Sequence, residues 1–178
     1  PRSRNERTER KAMENVYLHI KGPDVKGESV SADGKDGIEL LSWSQSVSMP
    51  ISHAHASGVS VKHGRSDFSD LTISKYLDST TPVLMQATAG GTNFKSASLT
   101  VFMNDSDKGK PVEYYRIDIE DVIVTSHSIG HGGSDRAVET LTLHFNTIKW
   151  TYTPQKRDSP GAGSGKVAGS WNLEKNTK

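Results

Sequence analysis

The chain contains no cysteine among its 178 residues. That absence excludes disulfide bonds, thiolate nucleophiles, iron–sulfur clusters and cysteine-based zinc sites, so the chain needs no oxidising compartment in order to fold. No stretch approaches the ~20 consecutive apolar residues of a membrane-spanning helix, and no apolar run of signal-peptide length lies near the start. We therefore expect no membrane insertion and no cleaved signal peptide.

Apolar residues are also scarce. They make up 33% of the chain, and the mean hydropathy is −0.60. Globular domains usually contain ~45–50% apolar residues. The length suits one domain, since domains commonly contain ~100–200 residues. A single domain with so small a fraction of apolar residues is expected to gain stability by binding partners.

The formal net charge of +1 hides an uneven distribution. Residues 1–12 contain five Lys or Arg and two Glu, a net +3, so residues 13–178 carry 17 basic against 19 acidic residues, a net −2. A basic arm can bind nucleic acid, but this one also contains two glutamates and no aromatic residue. We interpret residues 1–12 as a disordered or expression-derived leader and residues 13–178 as one domain, and we expect no nucleic-acid partner.

From Met13 onward, apolar residues alternate with polar ones and are interrupted by turn-forming residues. The run at 16–20 begins this pattern, which is typical of strands with one buried face. One helix is predicted at about residues 80–89, because Pro82 suits a first helical turn and the glycines at 90–91 end a helix. The chain is therefore predicted to be mainly β and antiparallel, with one short α-helix.

The alternation changes phase within three of the predicted strands. The changes fall near 40–41, at Asp121, and within the run 138–152 between Phe145 and Ile148. A β-bulge is the simplest cause of the first change. Long strands that bend midway are typical of a sheet that curls into a barrel. A two-sheet sandwich is the alternative architecture.

Two segments lack a strand pattern. Residues 48–66 are small and polar, and we predict a long loop with a short strand at 59–61. Loops of this length are uncommon in compact domains and are usually functional. The stretch 155–169 is rich in Gly and Ser and is predicted to be mobile, with a last short strand at 170–173.

Seven histidines raise the question of a metal or catalytic site, since histidine titrates near neutral pH and binds zinc. His53 and His55 are close in sequence, and His127 and His131 flank a glycine-rich loop, but no acidic cluster accompanies either pair. We interpret them as solvated loop histidines. The chain lacks the motifs of serine hydrolases, zinc proteases and EF-hands, and residues 160–167 depart from a P-loop at both ends. We predict no cofactor, no metal site and no enzymatic activity.

Several ordered blocks of the chain resemble the haemolysin-coregulated proteins (Hcp), the inner-tube subunits of bacterial type VI secretion systems. No single block is diagnostic, but their order and spacing together make the resemblance strong. It extends from about Glu14 to Lys175. The blocks lie at residues 16–22, 25–29, 38–44, 71–78, 79–85, 112–115 and 150–155.

The resemblance implies an antiparallel β-barrel of two packed sheets with one helix at its side. It also implies a homohexameric ring and a hollow tube of stacked rings, which a contractile sheath propels out of the cell beneath a spike protein. Members of the family leave the bacterial cytoplasm without a cleaved signal peptide. They carry or shelter effector proteins in the lumen of the ring.

Two sets of residues acquire expected roles from the resemblance. The first set is expected to face the lumen, where small polar groups leave the bore open and wet: Ser42, Ser44 and Ser46. The family projects an extended loop at residues 48–66 to contact neighbouring rings. The second set, expected to act in ring stacking, comprises Val47, Met49, Ile51, His53, His55 and Val59.

Two other classes of function stay open at this point. A monomeric barrel that binds a small ligand would need a closed apolar pocket. An enzyme that uses the histidines would bind a metal or lose its rate when His53 or His131 is substituted. A hexamer in native mass spectrometry would support the tube subunit, and a monomer would count against it.

Overall fold

The structure is a computed structural model that describes residues 15–53, 61–104, 111–133, 136–154 and 165–177. The predicted leader at 1–12 lies outside these residues, and so does most of the predicted mobile stretch 155–169. The end of that stretch, from Val167 onward, belongs to a strand. The last strand therefore begins earlier than the predicted 170–173.

The described part of the chain is mainly β with one short helix, as predicted. The helix, α1 (Thr81–Gly90), lies within one residue of the predicted span at each end. Gly91 follows it in the left-handed conformation, with φ of 61°, and ends it. The strands are β1 (Asn15–Lys21), β2 (Ile38–Glu39), β3 (Ser42–Ser44), β4 (Val47–Ser48), β5 (Ile51–His53), β6 (Val61–His63), β7 (Asp67–Phe68), β8 (Leu71–Tyr76), β9 (Asn93–Asn104), β10 (Pro111–Gly130), β11 (Val138–His144), β12 (Thr147–Tyr152) and β13 (Val167–Asn172).

The long strand β10 bends midway and thereby takes part in two sheets. Its first half pairs with β9 and β12, and its second half pairs with β11. Asp121 lies at the bend with a positive φ of 54°. The buried residues are Ile117 and Ile119 before the bend and Val122 and Val124 after it. The change of phase predicted at Asp121 is therefore confirmed.

The strand order gives two antiparallel sheets that share β10. The first contains β13, β12, β10, β9, β1 and β2, and the second contains β10, β11, β8 and β3. Residues 38–44 connect the free sides of both sheets, because the N–H of Leu40 donates to the Val16 carbonyl at 3.0 Å and that of Leu41 donates to the Ser74 carbonyl at 2.8 Å. The predicted bulge near 40–41 is thus the point where the chain crosses between sheets. The result is a barrel-like body.

The predicted single bent strand at 138–152 is two strands. β11 and β12 both run antiparallel to β10, one along each half, and residues 145–146 separate them. The N–H of Asn146 donates to the Glu120 carbonyl at 3.0 Å beside the bend of β10. The change of phase predicted between Phe145 and Ile148 is therefore the break between β11 and β12.

Apolar side chains from both sheets and the helix fill the space between the layers. Leu18 and Leu99 come from the first sheet, Ile73 and Leu141 from the second, and Leu84 from α1; each is at most 1% exposed. Burying a side chain of this size contributes roughly 1.5–3 kcal/mol. This packed interior gives no support to a ligand-binding barrel in the described part of the chain.

Candidate self-assembly surfaces

Residues 47–53 and 61–68 form a two-stranded ribbon, which we call the arm. β4 pairs with β7 and β5 pairs with β6, and among the described residues these strands join neither sheet of the barrel. The predicted long loop is therefore wrong for this part of the chain. The alternation that indicates a half-buried strand is missing from this segment, since Val47, Ser48, Met49 and Ile51 are all exposed. The strand predicted at 59–61 is found at Val61–His63, and residues 54–60 lie outside the described residues.

The arm exposes three large apolar side chains. Val47 is 54% exposed, Met49 47% and Ile51 53%. Apolar side chains grouped on a surface mark a place where another molecule binds. His53 pairs through its backbone with Val61. The remaining predicted stacking residues, His55 and Val59, lie outside the described residues.

The outer side of the second sheet carries an array of Ser and Thr side chains, which we call the hydroxyl face. The residues directly opposite one another on β3, β8, β11 and the second half of β10 form two rows, and all of them are exposed or half-buried. Residues opposite one another in a sheet point to the same side. One row is Ser44, Thr72, Thr142 and Ser126, and the other is Ser42, Ser74, Thr140 and Ser128.

The hydroxyl face is neutral, because none of its members ionises. The Ser42 and Ser74 hydroxyl oxygens lie 2.7 Å apart, so neighbouring members also hydrogen-bond across strands. Trp43 lies between Ser42 and Ser44 and turns the opposite way, into a stack on Tyr115 with ring centroids 5.8 Å apart. Burial raises the pKa of the Tyr115 hydroxyl. Because neighbouring residues of a strand point to opposite sides, the inward position of Trp43 places Ser42 and Ser44 on the outer side of β3.

Ser46 occupies a different place from the other two predicted lumen residues. It is exposed, but it follows β3 and lies at the base of the arm. Its N–H donates to the Ser69 hydroxyl at 2.7 Å, and its carbonyl accepts from the Ser69 N–H at 2.9 Å. These bonds close the ribbon where it leaves the barrel.

A charged cluster that sequence reasoning missed lies inside the second sheet. Lys75 and Glu139 are both 0% exposed and form an ion pair, and Lys75 also contacts Asp78 at 2.8 Å. Thr81, the first residue of α1, donates its hydroxyl to Glu139 at 3.1 Å. His127 Nε2 lies 2.9 Å from Glu139 Oε2. The cluster therefore joins α1 to three strands of the barrel.

The alternation of buried and exposed positions along β8 and β11 predicts this cluster. Lys75 continues the buried positions of β8, and Glu139 begins those of β11. The two residues are also directly opposite one another in the ladder. A charged residue at a buried position of each of two neighbouring strands predicts an ion pair, since buried charges are rarely found unpaired.

Asp78 connects this cluster to the start of α1. Its carboxylate accepts hydrogen bonds from the N–H and the hydroxyl of Thr80, at 2.8 and 2.5 Å. Burial by itself raises the pKa of the Asp78 carboxyl, but the hydrogen bonds from Lys75 and Thr80 outweigh burial, so the pKa is lowered from its usual 3.8. The ionised form of Asp78 is therefore favoured in the folded protein.

The histidines lie in unlike surroundings. His131 is exposed, as predicted. His127 belongs to β10 and its side chain is only 2% exposed, so the prediction of a solvated loop histidine is wrong for this residue. His144, also in the described part, contacts Asp70 at 2.8 Å on the surface. No group of three or more metal-ligating side chains occurs among the described residues.

Comparison with known proteins identifies the family. Residues 17–152 match the family described as "Type VI secretion system effector, Hcp". The chain belongs to the Hcp family. The resemblance inferred from the sequence blocks is thus confirmed.

A curated relative and two solved structures show how far the likeness extends. Protein hcp1 of Pseudomonas aeruginosa is 36% identical over 164 residues, which are 92% of this chain and 98% of the relative. A solved structure described as a type six secretion system protein is 26% identical, covers 93% of this chain and 99% of its own, and has a TM-score of 0.81. Hcp1 from Salmonella typhimurium is 23% identical over 92% of this chain and 97% of its own, with a TM-score of 0.72, and supports the fold alone.

The family description names a type VI secretion system effector and no reaction. It therefore gives no support to an enzyme that uses the histidines. In the described part of the chain, α1 is too short to cross a membrane, and no other helix is long and apolar enough to do so.

Proposed function

We propose that this Hcp-family chain is a structural subunit that forms homohexameric rings, and that the rings stack into the hollow inner tube of a type VI secretion system. The observation that carries the proposal is the arm, which exposes Val47, Met49 and Ile51 although the barrel has a complete core of its own. Apolar area that folding leaves exposed is available for association, at ~25 cal/mol per Å² buried. The arm therefore supplies the contact between neighbouring rings.

Two kinds of contact between identical subunits build such a tube. A head-to-tail contact that closes on itself gives a ring, and one that does not close gives a stack of unlimited length. The ring repeats each arm contact around its circumference, so contacts that are weak singly act together. A modest apolar patch on each subunit is then sufficient for stacking.

The hydroxyl face lines the lumen in this proposal. Its two rows contain no charge and no large side chain, so it holds water and does not trap passing proteins by charge. Ser42 and Ser44, which the resemblance predicts to face the lumen, belong to this face, and we assign Ser46 to the base of the arm. Effector proteins travel against this face, while the contractile sheath surrounds the tube and the spike protein caps it. The subunit is made in the bacterial cytoplasm and is exported with the tube.

Native mass spectrometry tests the ring directly. We expect a dominant species near six chain masses, with higher multiples as the protein is concentrated. A monomer throughout the concentration range would contradict the proposal and would favour a barrel that acts alone.

A cysteine scan tests the lumen, and the absence of native cysteine makes each label unique. Ser44→Cys is treated with a maleimide polymer as wide as the bore, in rings and in dissociated subunits. We expect protection in rings only. Lys149→Cys, exposed on the first sheet, is the matched control and should react in both states. Equal modification of Ser44→Cys in rings and subunits would contradict a lumen position.

A further inference from the structure

The arm depends on contacts at its base for its direction. Its strands form ladders with each other but, among the described residues, not with the sheets of the barrel. A lone two-stranded hairpin is marginally stable in water. Whatever holds the base of the arm therefore decides where its exposed apolar side chains point.

The C-terminal segment, residues 167–177, contacts that base through an aromatic stack. Phe68 of β7 stacks on Trp150 of β12 at 6.2 Å between centroids and on Trp171 of β13 at 6.3 Å, with interplanar angles of 18° and 23°. The Trp171 indole Nε1 is buried with no hydrogen-bond partner among the described residues. Packing, and not a hydrogen bond, therefore holds this indole against the arm.

Polar contacts also hold other parts of the base of the arm. Arg65 Nη2 donates to the Leu173 carbonyl. Just before β4, the Gln45 side-chain oxygen accepts from Trp150 Nε1 at 3.3 Å. The C-terminal segment therefore contacts the stretch that leads into β7, while β12, its neighbour in the sheet, contacts the approach to β4.

The C-terminal segment is itself firmly attached to the barrel. β13 pairs with β12 along its whole length. Beyond it, the N–H of Leu173 donates to the Asn146 carbonyl at 2.8 Å, and Asn172 and Thr177 exchange backbone hydrogen bonds at 2.8 and 3.3 Å. A segment tied down in this way can transmit the position of the barrel to the arm.

We infer that the C-terminal segment is a brace that sets the direction of the arm, with Trp171 as the positioning residue. The inference rests on the proposed function in one respect, since it makes ring stacking depend on the brace. Trp171 itself is only partly exposed and need not touch the neighbouring ring. Its effect on stacking is exerted through Phe68.

The direction of the arm is measured by distances between two spin labels. Ser48→Cys places one label on the arm and Gln86→Cys places the other on α1, and both positions are exposed. Labelled subunits are diluted into unlabelled protein so that each ring holds one pair. We expect one narrow distance in the parent and in Trp171→Phe, and loss of that narrow distance in Trp171→Ala. Val167→Ala, in β13 but 65% exposed and without an aromatic contact to the arm, should keep it.

Stacking is measured separately by sedimentation of the unlabelled variants. We expect Trp171→Ala to weaken the association of rings roughly tenfold, the effect of losing a stacked aromatic contact, while hexamers persist. A narrow distance retained in Trp171→Ala would overturn the brace. Should Trp171→Ala lower the stability of the barrel, Phe68→Leu removes the stack on Trp171 from the arm side, together with the stack on Trp150. Rings of the parent that never stack would instead refute the proposed function, and the distance measurement would still decide on the brace.

Discussion

The strands of the barrel bury most of their apolar side chains, whereas the strands of the arm leave theirs partly exposed. In the barrel, even charged residues such as Lys75 and Glu139 are fully buried and paired. In the arm, Met49 and Ile51 stay about half exposed. We propose that the barrel folds by its own contacts, whereas the arm is completed by another molecule. Stability and assembly should therefore respond to different substitutions.

The largest loss of stability is expected from Glu139→Ala. The substitution leaves Lys75 buried without its main partner and removes the acceptor of the Thr81 and His127 contacts. Breaking a buried pair in this way costs about 3–5 kcal/mol in the free energy of unfolding. Urea unfolding monitored by tryptophan fluorescence measures it.

Thr140→Ala is the neighbouring control. Thr140 is exposed, so this substitution should change the free energy of unfolding of the protein by less than about 0.5 kcal/mol. If Glu139→Ala were as stable as Thr140→Ala, the buried cluster would not be what holds α1 to the barrel.

The next effect concerns assembly. Ile51→Asp places a charge on the apolar patch of the arm. It also removes the Ile51 side chain, whose burial against a neighbouring ring contributes about 1–2 kcal/mol per subunit. We expect hexamers of unchanged thermal stability that no longer form stacks in sedimentation velocity. Ser48→Asp adds the same charge to β4 without removing an apolar side chain, and it should stack more readily than Ile51→Asp. Stacks of normal length from Ile51→Asp would show that the arm has another use.

The barrel was far more predictable from sequence than the arm. The bend at Asp121 was visible because core-facing positions changed parity there, and a packed core forces that parity. In the arm, residues 47–51 are exposed on both faces, so the stretch 48–66 lacks the alternation of a half-buried strand and resembles a loop. The helix at 81–90 was found from Pro82 and the glycines after it, which act locally.

The sequence indicates the single strands that form the candidate surfaces, but it does not indicate which strands combine into one surface. Ser42 and Ser44 were recognisable as a serine-rich run, yet the hydroxyl face also draws residues from β8, β10 and β11. Only the register of strands distant in sequence brings these together. Trp171 was predicted to belong to a last short strand, but its contact with Phe68 depends on the same long-range pairing.

The smallest expected effect is the acid sensitivity that Asp78 gives the barrel. Its pKa is lowered in the folded protein. It therefore adds stability at pH values above the unfolded pKa of about 3.9, and that stability is lost as the pH falls through the lower, folded value. Asp78→Asn cannot ionise, so we expect it to be less stable than the parent by about 1–2 kcal/mol at pH 7. The difference should shrink in urea titrations below pH 4. Asp33→Asn, an exposed carboxylate in the 22–37 loop, is the control. Parallel pH profiles for the parent and Asp78→Asn would mean that the helix start draws its stability from Thr80, Thr81 and the core beneath them, and not from the charge on Asp78.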